Sequence, residues 1–341
     1  MSLKKRNDTL LAALQQLCSL GLPSEAVMPD LLQGLSRWMS TDNGQFVWVD
    51  ANQRPCKFYC DAGEANTWQS YLALFDHLTI PGWSGREWFR RNDRATLVGG
   101  FHDKGYYRSS FYGEVMSSVG GECSICIPIR DAGGTVYGSL GLNRDSHSHP
   151  FTDTERERYE QFAAHLSLLF SKPLDPDANA FERIGEQGMA IFDYAGELLY
   201  GDDTARQLLF LAGHSKLTGV AGTRKEVGVE MQIRRVCLSL QSIARGTPAA
   251  APTFDLQTDW GRLVFSARLM SSSSNDGGAV GMDIVRYIPR RVAVWRRISS
   301  LDLPLRQRQV CLEFVENRSL SDIASLLGIG RTTVVEYVNK L

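Results

Sequence analysis

LPLRQRQVCLEFVENRSLSDIASLLGIGRTTVVEYVNKL, residues 303–341, resolves into three short amphipathic segments separated by two punctuation points. Val310, Cys311 and Phe314 fall at helical spacing in the first segment, and Ile323, Ala324, Leu326 and Leu327 in the second. Val334, Tyr337, Val338 and Leu341 repeat the pattern in the third. Ser319 followed three residues later by Asp322 fits a capping box, which predicts a helix starting just after Ser319. Gly328 supplies its C-terminal stop, and Ile329-Gly330 leads straight into the third helix.

Two helices joined by so short a turn make a helix-turn-helix unit, whose second helix enters the DNA major groove. Arg306-Gln307-Arg308-Gln309-Val310, Asp322-Ile323-Ala324, Leu327-Gly328-Ile329 and Thr333-Val334 together resemble the LuxR-type helix-turn-helix. The resemblance covers about one ninth of the chain. It implies an all-α DNA-binding domain over residues 304–341, with double-stranded DNA as partner. Pro304 stands where that family usually has a Ser or Thr cap, and Tyr337 replaces its usual His. The family continues into a fourth helix that pairs two subunits. The sequence ends at Leu341, so the domain is expected to be truncated before that helix.

Arg331, Thr332 and Thr333 open the recognition helix, where backbone N–H groups, hydroxyls and a guanidinium suit phosphate oxygens. Val335, Glu336 and Asn339 lie opposite Val334 and Val338, towards base edges, and Lys340 is grouped with them as a DNA contact. Asn reads adenine, Glu accepts from cytosine, and Val packs on a thymine methyl. The plainer alternative is that these are exposed residues of an ordinary helix pair. Arg306 and Arg308 are expected at the DNA backbone or paired with Glu313.

Working outward, 341 residues allow two to four domains, each able to bury a core. Apolar content of 43%, charged content of 22% and a net charge of −1 describe a soluble globular chain. Residues 290–341 hold nine Arg or Lys against five Asp or Glu, a net +4 that leaves −5 on the remainder. Such asymmetry fits a nucleic-acid-binding tail on a neutral-to-acidic body. Seven scattered cysteines are no disulfide framework, so a reducing, cytoplasmic setting is expected. The absence of an 18-residue apolar run argues against a membrane span. The leucines after a basic start are read as an amphipathic helix, because Leu10, Leu14, Leu17 and Cys18 share a face while Gln15 and Gln16 break the apolar run.

Helices are predicted over 8–20 and 24–39, strands over 45–50 and 55–60, and a helix over 68–77. Residues 107–118 are expected to be helical, 124–129 and 135–142 to form a hairpin turning at 131–134, and 151–170 to form a long exit helix capped by Thr152. That order is the order of a GAF-like α+β sensor domain. SSFYGEVM at 109–116 and PFTDTERERYEQFAAHL at 150–166 are similar to sensor halves of certain LuxR-type regulators. Beyond a linker containing Pro173 and Pro176, GMAIFDYAGELLYGDDTARQLL resembles the opening of a PAS domain. Strands at 188–192 and 198–200 precede helices over 203–211 and 230–243, with strands at 254–257, 261–270 and 278–287. The fold class is therefore α+β. Its expected divisions are GAF-like 1–172, linker 173–177, PAS-like 178–288, a basic helix or linker over 289–303, and the DNA-binding end.

Fifteen of the 33 aromatic residues lie between Phe46 and Tyr112. Trp48, Phe58, Trp68, Tyr71, Trp83, Trp88, Tyr106 and Tyr112 are therefore candidates for the wall of an effector pocket, or for a filled core. Trp68 and Tyr71 are three apart with no Asp-Pro following, unlike the Trp, Tyr and Asp-Pro pattern of autoinducer-binding regulators, so an acyl-homoserine lactone is not indicated. Cys56, Cys60, Cys123 and Cys126 invite a zinc or redox reading, yet Cys123 and Cys126 on one strand would point to opposite faces. His147 and His149 read as a solvated loop. No metal, cofactor or catalytic residue is expected, since no nucleophile elbow, Walker loop, HExxH or strand–GxGxxG–helix is found.

The chain thus reads as a DNA-binding regulator with a small-molecule effector. The alternative is a small-molecule-binding or redox GAF enzyme dependent on Cys123 or Cys126, with a vestigial DNA-binding end. A homodimer is expected, paired through Phe151, Tyr159, Phe162, Leu166 and Phe170 unless that stripe covers its own sheet.

Overall fold

The computed structural model describes residues 3–61, 71, 79–80, 83–84, 88–89, 94–99, 104–131, 133–145, 147–170, 181–213, 227–247, 250–270, 278–301 and 303–340. The chain divides into two compact units, Met1–Ala178 with Arg291–Leu341, and Asn179–Arg290. Each is built on one antiparallel five-stranded sheet. No helix among the described residues is long and apolar enough to cross a membrane.

In the first unit, α1 (Leu3–Cys18) and α2 (Ser24–Met39) precede β1 (Asn43–Val49) and β2 (Pro55–Cys60). The sheet is completed by β5 (Thr96–Gly99), β6 (Cys123–Arg130) and β7 (Val136–Arg144), in the order β2-β1-β7-β6-β5. Side chains alternate along each strand, so adjacent residues face opposite sides. Phe46 and Trp48 face the helices, as the hydrogen bond from Trp48 Nε1 to Ser24 Oγ at the start of α2 records (2.9 Å). Leu140 is paired with Phe46, and Ile127 with Leu140, on the same side. The β6–β7 hairpin turns where expected, with Gly134 at φ +82° and Asp131 accepting from the Thr135 amide.

The exit helix α5 (Asp153–Leu166) starts with a full capping box between Thr152 and Glu155, then tightens into a 3₁₀ turn over Ser167–Phe170. Its stripe closes onto the chain's own core. Tyr159 donates to the Leu140 carbonyl, Phe162 packs against Trp38, and Phe170 stacks on Tyr137 with centroids 4.5 Å apart. Phe151, Tyr159, Phe162 and Leu166 are buried and Phe170 half-buried. The stripe expected to pair subunits is therefore used inside the unit, because the sheet's apolar face needs that cover.

Over the opposite face, the helix expected across 107–118 is broken. It becomes α3 (Lys104–Tyr107), α4 (Ser110–Glu114) and a 3₁₀ turn over Met116–Val119. Ser109 ends the first piece and caps the second, since its Oγ accepts from the Tyr112 amide. Two-residue strands β3 (Thr79–Ile80) and β4 (Trp83–Ser84) pair nearby in sequence. The helix expected over 68–77, apart from Tyr71, and the linker at 173–177 lie outside the described residues.

The second unit runs β8 (Phe181–Phe192), β9 (Leu198–Gly201), α6 (Asp203–Gly213), α7 (Val227–Ala244), β10 (Thr253–Thr258), β11 (Gly261–Met270) and β12 (Ala279–Pro289). Its sheet order is β10-β11-β12-β8-β9. β8 starts seven residues before the predicted strand at 188, because its polar first half pairs with the end of β12. Gly188 lets α6 approach closely, as a Cβ there would meet the backbone of Ala205. Buried Arg286 donates through Nε to the Trp260 carbonyl (2.8 Å) and through Nη1 to Glu186 (2.9 Å). The residues expected to link this unit onward form a helix, α8 (Arg290–Ser299), of which Arg291 onward belongs to the first unit.

Three helices end the chain: α9 (Leu305–Val315), α10 (Leu320–Leu327) and α11 (Arg331–Val338). Val310, Ile323, Ala324 and Val334 form their common core, flanked by Leu320, Leu327, Ile329, Tyr337 and Val338. One expectation fails here. Phe314 is 43% exposed and Cys311 half-buried, whereas Arg308, Leu312 and Glu313 are buried. α9 packs against α1 as well as α10 and α11, so polar residues on a second side are enclosed too.

Candidate functional site

The terminal helices present one exposed surface. Ser319 Oγ accepts from the Asp322 amide (3.1 Å) and its hydroxyl donates to Asp322 Oδ2 (2.7 Å), a variant of the expected box in which the carboxylate takes the hydroxyl rather than the backbone N–H. Gly328 at φ +62° closes α10, where the Ile329 amide donates back to the Ala324 carbonyl (3.0 Å). Gly330 then opens α11 with no side-chain cap. The first amides of α11 are thus left for an external acceptor.

Val334 anchors α11 inward. Arg331, Thr332, Glu336, Asn339 and Lys340 are exposed, and Thr333 and Val335 half-buried. Among the described residues, Arg331, Glu336, Asn339 and Lys340 have no side-chain partner. The expected contact residues thus share one uncommitted surface. Arg306 bonds Gln309 instead, and Arg308 is buried with its Nη2 on the Leu301 carbonyl (3.0 Å). Arg308 is therefore removed from any DNA backbone.

Glu313 is held on two sides. Arg291 Nη2 donates to Oε1 (3.4 Å), and Arg318 Nε lies 2.7 Å from Oε2, close enough for an ion pair though misaligned for a hydrogen bond. Arg291 also donates to the Leu20 carbonyl at the end of α1 (2.6 Å). Trp295 Nε1 donates to the Ala13 carbonyl (3.0 Å), and Arg296 grips both oxygens of Asp30 in α2 (2.6 and 2.9 Å). A two-pronged guanidinium–carboxylate contact of this kind fixes orientation as well as position. Sequence reasoning treated α8 as a basic connector; three of its side chains instead fasten it to α1, α2 and the turn between them.

The second surface is the sheet face away from α1, α2 and α5. Strand alternation divides the eight candidate aromatics. Trp48 belongs to the helix-covered face, a correction that follows from its sharing that side with Phe46, the two rings 4.6 Å apart. Phe58 is opposite Val47 and so faces the other way. Trp88 lies over that second face with its Nε1 on Thr96 Oγ1 (3.1 Å), and Tyr71 and Tyr106 lie near Cys126. Tyr106 donates to the Gly121 carbonyl (2.7 Å), and Tyr112 to Glu122 (2.8 Å). Burial, with the Glu122 carboxylate adding to it, pushes the Tyr112 phenol up to about 12. The side chains of Trp68 and Trp83 lie outside the described residues.

Beneath these rings is a buried polar cluster that the sequence reading missed. Asn143 Nδ2 donates to Asn43 Oδ1 and to Gln45 Oε1 (2.6 Å each), Ser124 donates to Asn143 Oδ1 (2.8 Å), and Asn43 donates to the Val119 carbonyl (2.9 Å). All four side chains are less than one-tenth exposed. Among the described residues the Gln45 NH₂ has no acceptor. The signal lay in Asn43 and Gln45 alternating with apolar residues, a pattern that puts polar groups on one face of a strand.

The cysteines are poor nucleophiles. Cys123 pairs across from Arg144 and Cys126 from Gly141, on opposite faces of the sheet as expected. Burial pushes both thiols up, Cys126 to about 12, and Cys56 also rises through burial. Such groups stay protonated near neutral pH. His147 and His149 are exposed ahead of α5.

No protein-family profile matches the chain, and no curated protein matches it. Solved structures give distant, partial likenesses of fold. The GAF domain of cyanobacteriochrome TePixJ is 11% identical, covering 45% of this chain and 92% of that one at a TM-score of 0.32. The N-acylhomoserine lactone dependent LuxR family transcription factor CepR2 from Burkholderia cenocepacia is 15% identical, covering 50% and 96% at a TM-score of 0.38. PelD from Pseudomonas aeruginosa PAO1 is 13% identical, covering 93% and 87% at a TM-score of 0.29.

Proposed function

We propose that this chain is a cytoplasmic DNA-binding transcription regulator in which a GAF-like sensor region governs how a C-terminal helix-turn-helix meets its operator. The observation that carries the reading is the outer surface of α11, where an uncapped helix start adjoins exposed, unpartnered Arg331, Glu336, Asn339 and Lys340. In this reading α11 is the recognition helix. Its first amides, Arg331, Thr332 and Thr333 take phosphates, while Val335, Glu336 and Asn339 meet base edges. Residues 178–288 form a PAS-like second sensor domain.

Coupling runs through α8. Arg291, Trp295 and Arg296 hold it to Leu20, Ala13 and Asp30, and Arg291 reaches Glu313 in α9. An effector seated on the second sheet face, against the aromatic rings and the Gln45 amide, would act on the same unit that anchors α8. Operators of this motif are usually read by two-fold dimers with half-sites about 34–36 Å apart, so the functional species is a homodimer.

The test is selection of bound sequences from random double-stranded DNA, followed by anisotropy titration against the winner and against scrambled DNA. N339A is expected to lose about 1–3 kcal/mol of discrimination at one base position. R331A is expected to weaken every sequence alike and to lower the salt slope by about one. Equal binding of all probes by wild type and both variants removes the reading.

A further inference from the structure

On the helix-covered side of the first unit, α1, α2 and α5 leave a groove of about 250 Å³. Its floor is apolar, made by Trp38 and Phe162, whose rings lie 5.8 Å apart. Its rim is polar, with Arg158, His165, Gln15 and Asp8. The Arg158 guanidinium lies over the Trp38 ring at 5.0 Å from the centroid. Among the described residues it has no carboxylate partner and no hydrogen-bond acceptor. Its neighbours in the ERERYEQ run behave differently, for Arg156 pairs with Asp153 and Glu155 with Arg144. Gln15 Nε2 and His165 Nε2 are joined at 2.9 Å, which ties α1 to α5 further along the same helix face from Arg158.

We infer that this groove binds a small monocarboxylate carried on a flat apolar body. The guanidinium is held over the Trp38 ring as a cation on an aromatic face, and its uncommitted N–H groups are able to meet a carboxylate two-pronged. Half-buried Leu11 and the accessible edge of the indole meet the ligand's apolar part. At about 30 Å³ per water the groove holds roughly eight waters, the size of a molecule of about ten non-hydrogen atoms. Asp8 stands on the same rim with a negative charge, which disfavours di- and tricarboxylates. The site is separate from the polar cluster of Asn43, Gln45, Ser124 and Asn143, which lies on the other face of the sheet. Its occupation does not depend on the DNA-binding reading. A ligand here would bridge α5 to α1, the helix that Arg291 and Trp295 of α8 grip.

The experiment is calorimetric titration of the full chain with sodium benzoate, with benzyl alcohol and citrate as controls. One benzoate per chain is expected with a Kd below about 1 mM, with benzyl alcohol and citrate each binding about tenfold more weakly or worse. R158Q is expected to lose about tenfold or more in benzoate affinity while melting as wild type does. R158K keeps the charge without the fork and is expected to fall between them. It decides the matter if R158Q does not fold. No benzoate binding up to about 10 mM, equal binding of benzyl alcohol, or wild-type affinity in the folded Arg158 variants overturns the inference. A groove occupied by a second copy of the chain would give the first of these results.

Discussion

The two faces of the first sheet are built from the same strands and obey different rules. On the helix-covered face, Phe46, Trp48, Leu140, Leu142, Ile125 and Ile127 are all buried, and apolar contact dominates, with the Trp48 indole N–H bonded to Ser24. On the other face, one residue along each strand, Asn43, Gln45, Asn143 and Ser124 are equally buried and are held by named hydrogen bonds. Burying such groups is unfavourable unless each finds a partner. A chain optimised only for stability would fill both faces with aliphatic residues. The polar face, ringed by Tyr71, Trp88, Tyr106 and Tyr112, is where an effector would gain direction as well as contact.

The largest test of this contrast is Phe46→Ala. Removing a ring that touches both Trp48 and Phe170 is expected to cost about 3–5 kcal/mol in urea unfolding. Asn143→Ala comes next, at about 1–3 kcal/mol, because it strips a partner from Asn43, Gln45 and Ser124 together. A double-mutant cycle of Asn143→Ala with Ser124→Ala should then show coupling. If Asn143→Ala costs more than Phe46→Ala, the polar face is the structural one and the contrast is reversed.

The smallest effect concerns Glu155, which joins the helix-covered side to its surroundings. Burial works to raise its carboxyl, but the Arg144 guanidinium and the Thr152 cap outweigh burial and hold it below its usual value. A carboxyl lowered on folding contributes stability above its unfolded value of about 4.3, and that contribution is lost as pH falls through the folded value. Glu155→Gln should therefore cost about 1 kcal/mol at pH 7. The gap from wild type should close below about pH 4. A gap that persists at pH 3 would mean that Arg144, not the charge of Glu155, holds the helix start.

What was legible in the sequence was local. The caps at Ser319 and Thr152, the stop at Gly328 and the turn at 131–134 each depend on residues within a few positions, and each is where it was expected. The face of α9 was misread because periodicity locates a stripe but does not count neighbours. Glu313 is buried by Arg291, 22 residues away. The amide cluster escaped because Asn43 and Asn143 are 100 residues apart and meet only once β1 lies beside β7. Arg158 sits in a charge run that reads as a solvated surface, and nothing local says that Trp38 lies under it.

The clasp of α8 on α1 and α2 has a consequence for synthesis. Leu20 waits for Arg291 across 271 positions, and Asp30 for Arg296 across 266. The first hundred and seventy residues leave the ribosome with the Asp30 carboxylate, 9% exposed in the finished protein, still lacking its counter-charge. Contacts this distant in sequence form late, after loop closure across everything between them. Ala13, Leu20 and Asp30 therefore gain these partners only once residues 291–296 have been made.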